Sequence, residues 1–215
     1  MDGIPASTPL SELRDKAYWD SRYDKEFQEK DDANFDWFKG YKDLEPWLSE
    51  HLKPESKILM LGCGNSTLSA DLYNAGYKHV HNIDFAPTCI ERMKALHADK
   101  AEMTWEVMDV LDLKYDGATF DVAIDKGTMD ALLCFDPEEG SVWSPPEHVV
   151  ANCTKEVDEA IRVLKPGGKF LYCTFGQPHF RRRYMQREGV WKDDEVKLTT
   201  LGDMFHYFLF SCEKN

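Results

Sequence analysis

The stretch Ile58-Leu59-Met60-Leu61-Gly62-Cys63-Gly64-Asn65-Ser66 decides the fold of this chain. Four apolar residues in a row are typical of a buried strand, and the two glycines that follow allow the main chain to turn sharply. Ser66 or Asn65 is suited to cap a helix after that turn, and Gly76 is suited to end it. The stretch therefore predicts a strand, Lys57–Leu61, that leads through a glycine turn into a helix.

Outward from this stretch, apolar runs bounded by Gly, Asn and Asp alternate with segments at helical spacing, as βαβ units require. Six further strands are predicted: His79–Asp84, Met103–Met108, Phe120–Asp125, Lys169–Phe175, Val196–Leu201 and His206–Cys212. The last two are separated by Gly202-Asp203-Met204-Phe205, which favours an antiparallel hairpin. We therefore expect an α/β fold: a Rossmann-like, doubly wound, mostly parallel seven-stranded sheet with a C-terminal antiparallel hairpin.

The chain has 215 residues, of which 42% are hydrophobic, and contains no repeat or Gly/Ser linker. This predicts a single domain, with an aromatic-rich helical lid segment at residues 1–50 and a sheet core at residues 57–215. Its apolar runs are far shorter than the roughly 18 to 20 residues that cross a bilayer. Because Met1–Leu13 lacks the basic start and apolar middle of a secretory signal, we expect a cytoplasmic protein without membrane contact.

Acidic residues outnumber basic ones by 39 to 26, which gives a net charge of −13. Such a field repels phosphate backbones and attracts cations, so we expect a basic protein partner and no direct nucleic-acid binding. The run Arg181-Arg182-Arg183 is a local exception, interpreted as a solvated loop or a substrate-positioning edge. The six cysteines lie far apart and neither they nor the histidines have metal-ligand spacing, which favours reduced, buried thiols and no metal site.

Asp84 closes the second predicted strand 22 residues after Gly62. An acidic side chain at this place can accept hydrogen bonds from both hydroxyls of a ribose, which implies a cofactor that contains adenosine. Gly62 and Gly64 let such a ligand approach the main chain closely. Thr67 stands where the dinucleotide fingerprint has its third glycine, so a cofactor without a pyrophosphate fits better.

Asp109 follows the third predicted strand, where it can accept a hydrogen bond from an adenine amino group. Val110 and Phe85 would then flank the ring. The alternative is that Asp109 only caps a loop. Together with the segment Leu164-Lys165-Pro166-Gly167-Gly168-Lys169-Phe170, a helix end that leads into a strand, these features indicate a class I methyltransferase that uses S-adenosylmethionine.

Three large aromatic residues, Trp19, Tyr23 and Trp37, precede the first strand. Aromatic faces attract a cation within about 6 Å, and the sulfonium of S-adenosylmethionine is a cation. The same residues could instead form a hydrophobic lid on the sheet, and the two roles can coexist. Lys126 follows the fourth strand, where it could pair with the methionine carboxylate of the cofactor or remain a solvated loop charge.

Several segments resemble a known family. They are Tyr18-Trp19-Asp20-Ser21-Arg22-Tyr23, Phe35-Asp36-Trp37-Phe38, Leu61-Gly62-Cys63-Gly64-Asn65-Ser66, Asp125-Lys126-Gly127-Thr128-Met129-Asp130-Ala131-Leu132-Leu133 and Pro178-His179-Phe180-Arg181. In this order they resemble the protein-lysine methyltransferases that act on translation elongation factor 1-alpha. The resemblance implies that activity and cofactor contacts from Trp19, Tyr23, Trp37, Gly62, Asp84, Phe85, Asp109, Val110 and Lys126. We add Gly64 and Asn65 of the glycine turn.

Methyl transfer from a sulfonium needs alignment of the nucleophile more than acid–base chemistry. A lysine acceptor must nevertheless lose its proton, and Asp125 and Asp130 are the candidate catalytic carboxylates that would orient its ammonium. The segment Asp125-Lys126-Gly127-Thr128 replaces the D/N-P-P-Y/F signature of many enzymes that methylate adenine or amides, which argues against those acceptors.

Three alternatives stay open at this point. A small-molecule methyltransferase would need a closed apolar pocket, whereas Phe135–Pro146 is acidic, proline-rich and more typical of an open rim or mobile loop. A methyltransferase-like scaffold or activating subunit would lack catalysis. A nucleotide-dependent dehydrogenase is disfavoured by Thr67.

Overall fold

A computed structural model of the chain describes residues 8–215; the first seven residues, which begin the predicted lid segment, lie outside that range. The protein has one seven-stranded sheet in the order β3-β2-β1-β4-β5-β7-β6. The strands are β1 (Ile58–Leu61), β2 (Val80–Asp84), β3 (Thr104–Val107), β4 (Phe120–Lys126), β5 (Leu164–Thr174), β6 (Lys197–Leu201) and β7 (Tyr207–Glu213). The first five are parallel, and β7 runs antiparallel to both β5 and β6. The predicted fold class is confirmed.

Helices cover both faces of the sheet. They are α1 (Lys16–Glu29), α2 (Tyr41–His51), α3 (Leu68–Asn74), α4 (Pro87–Leu96), α5 (Thr128–Leu132), α6 (Glu147–Val163) and α7 (Pro178–Met185), with 3-10 turns at Leu10–Arg14 and Lys192–Asp194. Side chains of β1 alternate between two apolar layers. Ile58 and Met60 pack with α1 to α4, whereas Leu59 and Leu61 pack with α6 and α7. The sheet is therefore doubly wound, with β1 buried at its centre.

Most strand ends lie within one residue of the prediction, and two other boundaries differ for a structural reason. Strand β5 begins at Leu164, before the Pro-Gly-Gly segment, because Leu164 pairs with Phe120 and the register with β4 shifts just after that pair. Gly167 adopts a φ of +75°, and its N–H donates to the Lys214 carbonyl oxygen at 2.8 Å. After β1, the helix starts at Leu68 rather than directly after Ser66, whose hydroxyl accepts the Leu68 N–H at 3.1 Å.

All six cysteines are buried and unpaired, as the sequence predicted. Within residues 8–215, no helix is both long and apolar enough to cross a membrane. The same residues contain no group of three or more His, Cys, Asp or Glu side chains placed to hold a metal ion.

Candidate functional site

A cavity of about 550 Å³ opens at the carboxyl edge of the parallel strands. This edge is where open α/β sheets bind ligands, and the volume lies in the range of small-ligand sites. The structure brings all eleven residues of the predicted cofactor site into its wall: Trp19, Tyr23, Trp37, Gly62, Gly64, Asn65, Asp84, Phe85, Asp109, Val110 and Lys126. Residues from the N-terminal segment and from four strand ends thus converge on one site.

Neither glycine of the turn has room for a Cβ. Gly62 has a φ of +61°, and a Cβ at this position would lie 2.2 Å from the Thr128 hydroxyl oxygen. That hydroxyl donates to the Leu61 carbonyl oxygen at 2.8 Å, which fixes the start of α5 beneath the turn. Gly64 has a φ of +52°, and a Cβ there would lie 2.9 Å from the Tyr23 hydroxyl oxygen. The turn therefore depends on α5 below it and on α1 above it.

Asp84 joins the glycine turn to the end of β2. One carboxylate oxygen accepts the Gly64 N–H at 3.0 Å, and the other accepts the Ala86 N–H at 3.0 Å. The side chain is buried, and burial raises the pKa of Asp84 to about 6, although both N–H groups oppose the rise. Each carboxylate oxygen has a second lone pair, so Asp84 retains the capacity to accept hydroxyl groups of a ligand.

Asp109 lies at the exposed side of the cavity, between buried Val110 and the end of β3. One of its carboxylate oxygens accepts the Leu111 N–H at 2.8 Å, so it does cap the loop, as the alternative interpretation proposed. Its place in the cavity wall is equally clear. Capping occupies one lone pair of the carboxylate and leaves the others available to a ligand.

The aromatic residues before β1 form a packed cluster. The Trp19 ring lies 5.7 Å from Tyr23 and 6.0 Å from Trp37, and its indole N–H donates to the Leu13 carbonyl oxygen at 2.7 Å. The guanidinium of Arg22 lies 5.1 Å from the Trp37 ring centre. The hydrophobic-lid interpretation thus describes the packing, and a protein cation already occupies part of the aromatic surface. Arg22 was not among the residues predicted for the site, and its only signal in the sequence was its place in the Y-W-D-x-R-Y segment.

Asn65 links the glycine turn to this cluster. Its side-chain amide donates to Glu26 on α1 at 2.9 Å and to the Ala33 carbonyl oxygen at 3.3 Å. Asn65 is buried, so these bonds hold the N-terminal segment against the start of the cavity.

Lys126 is engaged differently from the sequence prediction. Its side chain is 5% exposed, and its ammonium lies 3.2 Å from a carboxylate oxygen of Asp36 and donates to the Trp37 carbonyl oxygen at 2.9 Å. Burial alone would raise the pKa of Asp36, but Lys126 and the hydroxyls of Ser66 and Thr67 outweigh it and lower that pKa. Asp36 thus neutralises the lysine that was expected to face a cofactor carboxylate. Asp36 was not among the predicted site residues, although it belongs to the segment Phe35-Asp36-Trp37-Phe38.

Asp125 is not in the cavity wall, so the structure does not place it where its predicted role as a catalytic carboxylate requires. It is fully buried, and its two oxygens accept the N–H groups of Thr128 and Met129 at 2.8 and 2.9 Å. The residue therefore caps the first turn of α5. On its other side it faces the buried carboxyl of Glu156, and burial raises the pKa of both groups.

Asp130 does line the cavity, but three groups of the protein already bind its carboxylate. It accepts hydrogen bonds from the Tyr172 hydroxyl at 2.8 Å, the Thr174 hydroxyl at 2.7 Å and the Arg181 guanidinium at 2.9 Å. Arg181 lies on α7 and is only 16% exposed, which corrects the interpretation of the arginine run as a solvated loop. Because Arg181 neutralises Asp130, this carboxylate is a poor anchor for a second cation.

The loop before α6 forms part of the cavity wall, through Phe135, Pro137, Val142 and Pro145 among others. Two contacts hold it to the N-terminal segment: the Ser11 hydroxyl donates to Asp136 at 2.9 Å, and Arg14 pairs with Glu139 at 3.2 Å. The expectation of an open rim is therefore only partly met, because the loop is tied across the site. The contribution of its apolar residues to the cavity wall was not predicted, because acidic residues and prolines dominate the sequence of this segment.

Comparison with known proteins agrees with this geometry. Residues 52–205 match the family described as Methyltransferase domain. The chain is 35% identical to EEF1A lysine methyltransferase 4 of Mus musculus over 204 residues, covering 94% of this chain and 76% of that protein. It is 33% identical to a segment of the Homo sapiens eEF1A lysine and N-terminal methyltransferase, covering 88% of this chain and 26% of that longer protein.

Among solved structures, a SAM-dependent methyltransferase of Methanosarcina mazei shares the fold with a TM-score of 0.56 at 19% identity, covering 84% of this chain and 99% of the other. The N-methyltransferase NodS of Bradyrhizobium japonicum does so with a TM-score of 0.53 at 16% identity, covering 80% and 92%. The chain therefore belongs to the S-adenosylmethionine-dependent methyltransferases, in the family that includes EEF1A lysine methyltransferase 4.

Proposed function

We propose that this enzyme is a protein-lysine N-methyltransferase and that its substrate is translation elongation factor 1-alpha. The observation that carries the proposal is the 35% identity, over nearly the whole chain, to a relative named as an EEF1A lysine methyltransferase. The net charge of −13 supports a basic protein partner, because opposite charge speeds encounter. We propose the cytoplasm as the place of action, on the grounds of the same substrate.

We further propose how the cavity holds the cofactor. Asp84 accepts the ribose hydroxyls, and Asp109 accepts from the adenine, whose faces Phe85 and Val110 cover. Gly62 and Gly64 allow the close approach of the ligand to the main chain. The remaining contacts come from Asn65 and from the lid, namely Trp19, Tyr23 and Trp37, which Lys126 ties to the sheet through Asp36.

The bound cofactor supplies a methyl group on a sulfonium, which is already activated for displacement. What the chain has to supply is alignment of the acceptor amine and exclusion of water. A lysine in water has a pKa of about 10.4, and an apolar environment lowers it by disfavouring the charged form. The apolar walls contributed by Phe38, Phe175 and Phe180 suit this task. The Asp130–Arg181 pair adds no net charge that would hold the ammonium form.

The direct test is transfer of a radiolabelled methyl group from S-adenosylmethionine to purified, unmethylated elongation factor 1-alpha. We expect the label in the protein, on lysine, and much less with the Asp84→Asn variant. Thermal stabilisation of the enzyme by S-adenosylhomocysteine shows separately whether the cofactor binds. Cofactor binding without any labelled protein would favour the scaffold alternative and refute the proposal.

A further inference from the structure

Several large apolar side chains lie exposed around the mouth of the cavity, and we call five of them the apolar rim. They are Val142, Trp143, Phe175, Met204 and Phe205. Trp143 is 74% exposed, Met204 88% and Phe205 80%. Single exposed apolar residues are normal on protein surfaces, whereas clusters of them mark interaction sites. In the described part of the chain, most of the strongly exposed large apolar residues belong to this rim.

One side of the apolar rim comes from the β6–β7 hairpin. Leu201 pairs with Tyr207, so the connecting residues 202–206 form the tip of the hairpin at the carboxyl edge of the parallel strands. The Tyr207 ring lies 5.9 Å from Phe38, which in turn lies 6.1 Å from Phe175. Phe38 and Phe175 both line the cavity. The hairpin tip therefore lies beside the mouth.

The other side comes from the loop before α6. Val142 lines the cavity, and the next residue, Trp143, packs outside it against α7. The Trp143 ring stacks on His179 at 5.7 Å and meets Phe180 edge-on at 4.8 Å. Phe180 itself lines the cavity, so Trp143 extends the apolar wall outward to the protein surface.

The positions of the rim residues indicate how large the partner is. Trp143, Met204 and Phe205 do not line the cavity, so a ligand small enough to lie within it would leave them exposed. Trp and Phe are the kinds of residues that dominate binding energy at protein–protein interfaces. Asp203, at the tip of the hairpin, and Glu138, in the loop, are exposed beside the rim and would face a positively charged partner.

We propose that the apolar rim is the docking surface for a basic protein that places a lysine in the cavity. This inference rests on the proposed function and adds to it the surface by which the enzyme selects a protein over a small molecule. The apolar residues supply affinity, and Asp203, Glu138 and the net charge of −13 supply orientation and speed of encounter.

The test compares methylation kinetics of purified elongation factor 1-alpha by four enzymes: wild type, the double variant Met204→Ser/Phe205→Ser, Trp143→Ser and the control Leu96→Ser. Leu96 is also exposed but lies at the end of α4, away from the rim. We expect each rim variant to raise KM for the protein by about tenfold or more, as loss of a moderate interface hot spot does. We expect kcat, and the affinity for S-adenosylhomocysteine, to stay close to the wild-type values.

The outcomes separate the two proposals. If the wild type methylates the factor and both rim variants match Leu96→Ser, the docking surface is wrong and the proposed function stands. If the wild type neither methylates nor binds the factor, the proposed function is wrong, and the docking surface proposed for that factor is wrong as well. Should the hairpin variant unfold, as judged by circular dichroism, Trp143→Ser decides the matter alone.

Discussion

The affinity of the enzyme for its cofactor should depend on the ionisation of Asp84. Burial raises the pKa of this carboxyl to about 6, so it titrates within an accessible range. The two perturbations are a decrease in pH and the substitution Asp84→Asn, which removes the charge at every pH. Only the ionised carboxylate accepts hydrogen bonds at both oxygens, so protonation and substitution should each weaken binding.

The magnitude follows from the pKa. If the cofactor binds only the ionised form, its apparent Kd grows by the factor 1 + 10^(pKa − pH), which for a pKa of about 6 is roughly elevenfold at pH 5 and close to one at pH 7.5. The affinity for the cofactor is therefore highest above pH 6 and falls as the carboxyl takes up a proton. The substitution should cost about 1.5 to 3 kcal/mol at pH 7.5, the usual contribution of a hydrogen bond to a charged group.

Isothermal titration calorimetry with S-adenosylhomocysteine between pH 5 and pH 8 measures both effects. The wild type should lose affinity below pH 6, and Asp84→Asn should bind weakly with a flat profile. Asp99→Asn, a substitution in an exposed acid, is the matched control and should behave as the wild type. A flat wild-type profile, or wild-type affinity in Asp84→Asn, would refute the assignment of Asp84 to the ribose.

Three further perturbations concern stability. Gly62→Ala should lower the free energy of unfolding by at least about 2 kcal/mol, because a left-handed φ costs an alanine about 1 to 2 kcal/mol and the added methyl group meets Thr128. The control is Gly189→Ala, where φ is +69° and the space around the glycine is open, so only the backbone cost is expected. Equal losses in chemical denaturation would contradict the packing argument. Because burial raises the pKa of both Asp125 and Glu156, this pair contributes stability at about pH 4 that is lost as pH rises into the neutral range, and Glu156→Gln should make the change of melting temperature with pH less negative than in the wild type. An unchanged slope would show that the pair does not control it. Asp36→Asn leaves the Lys126 ammonium without its counter-ion, so it should lower the free energy of unfolding by about 2 to 3 kcal/mol and weaken cofactor binding. Wild-type stability and wild-type affinity in this variant would show that the pair has neither role.

The sequence predicted the sheet and the position of the site because both depend on local patterns. Runs such as Ile58–Leu61 have an unambiguous apolar character, and parallel strands bring their carboxyl ends to one edge wherever the intervening helices lie. Residues named from strand ends, such as Asp84 and Asp109, were therefore bound to converge. The cavity wall confirms that they do.

The pairing of side chains within the site could not be predicted in the same way. Lys126 and Asp36 are 90 residues apart, and Asp130 and Arg181 are 51 apart, so no local pattern joins them. The burial of Asp125 follows from the strand period, because Asp125 lies on the same face of β4 as Ala123, which packs towards α6, whereas Lys126 lies on the opposite face, towards the lid.

The substrate itself is the claim that most needs a direct measurement. We would compare elongation factor 1-alpha from cells that have this gene with that from cells that lack it, and determine the methylation of each lysine by mass spectrometry. The account predicts that at least one lysine loses its methyl groups in the cells that lack the gene and regains them when the wild-type enzyme, but not Asp84→Asn, is restored. Identical methylation of every lysine in the two kinds of cell would contradict it.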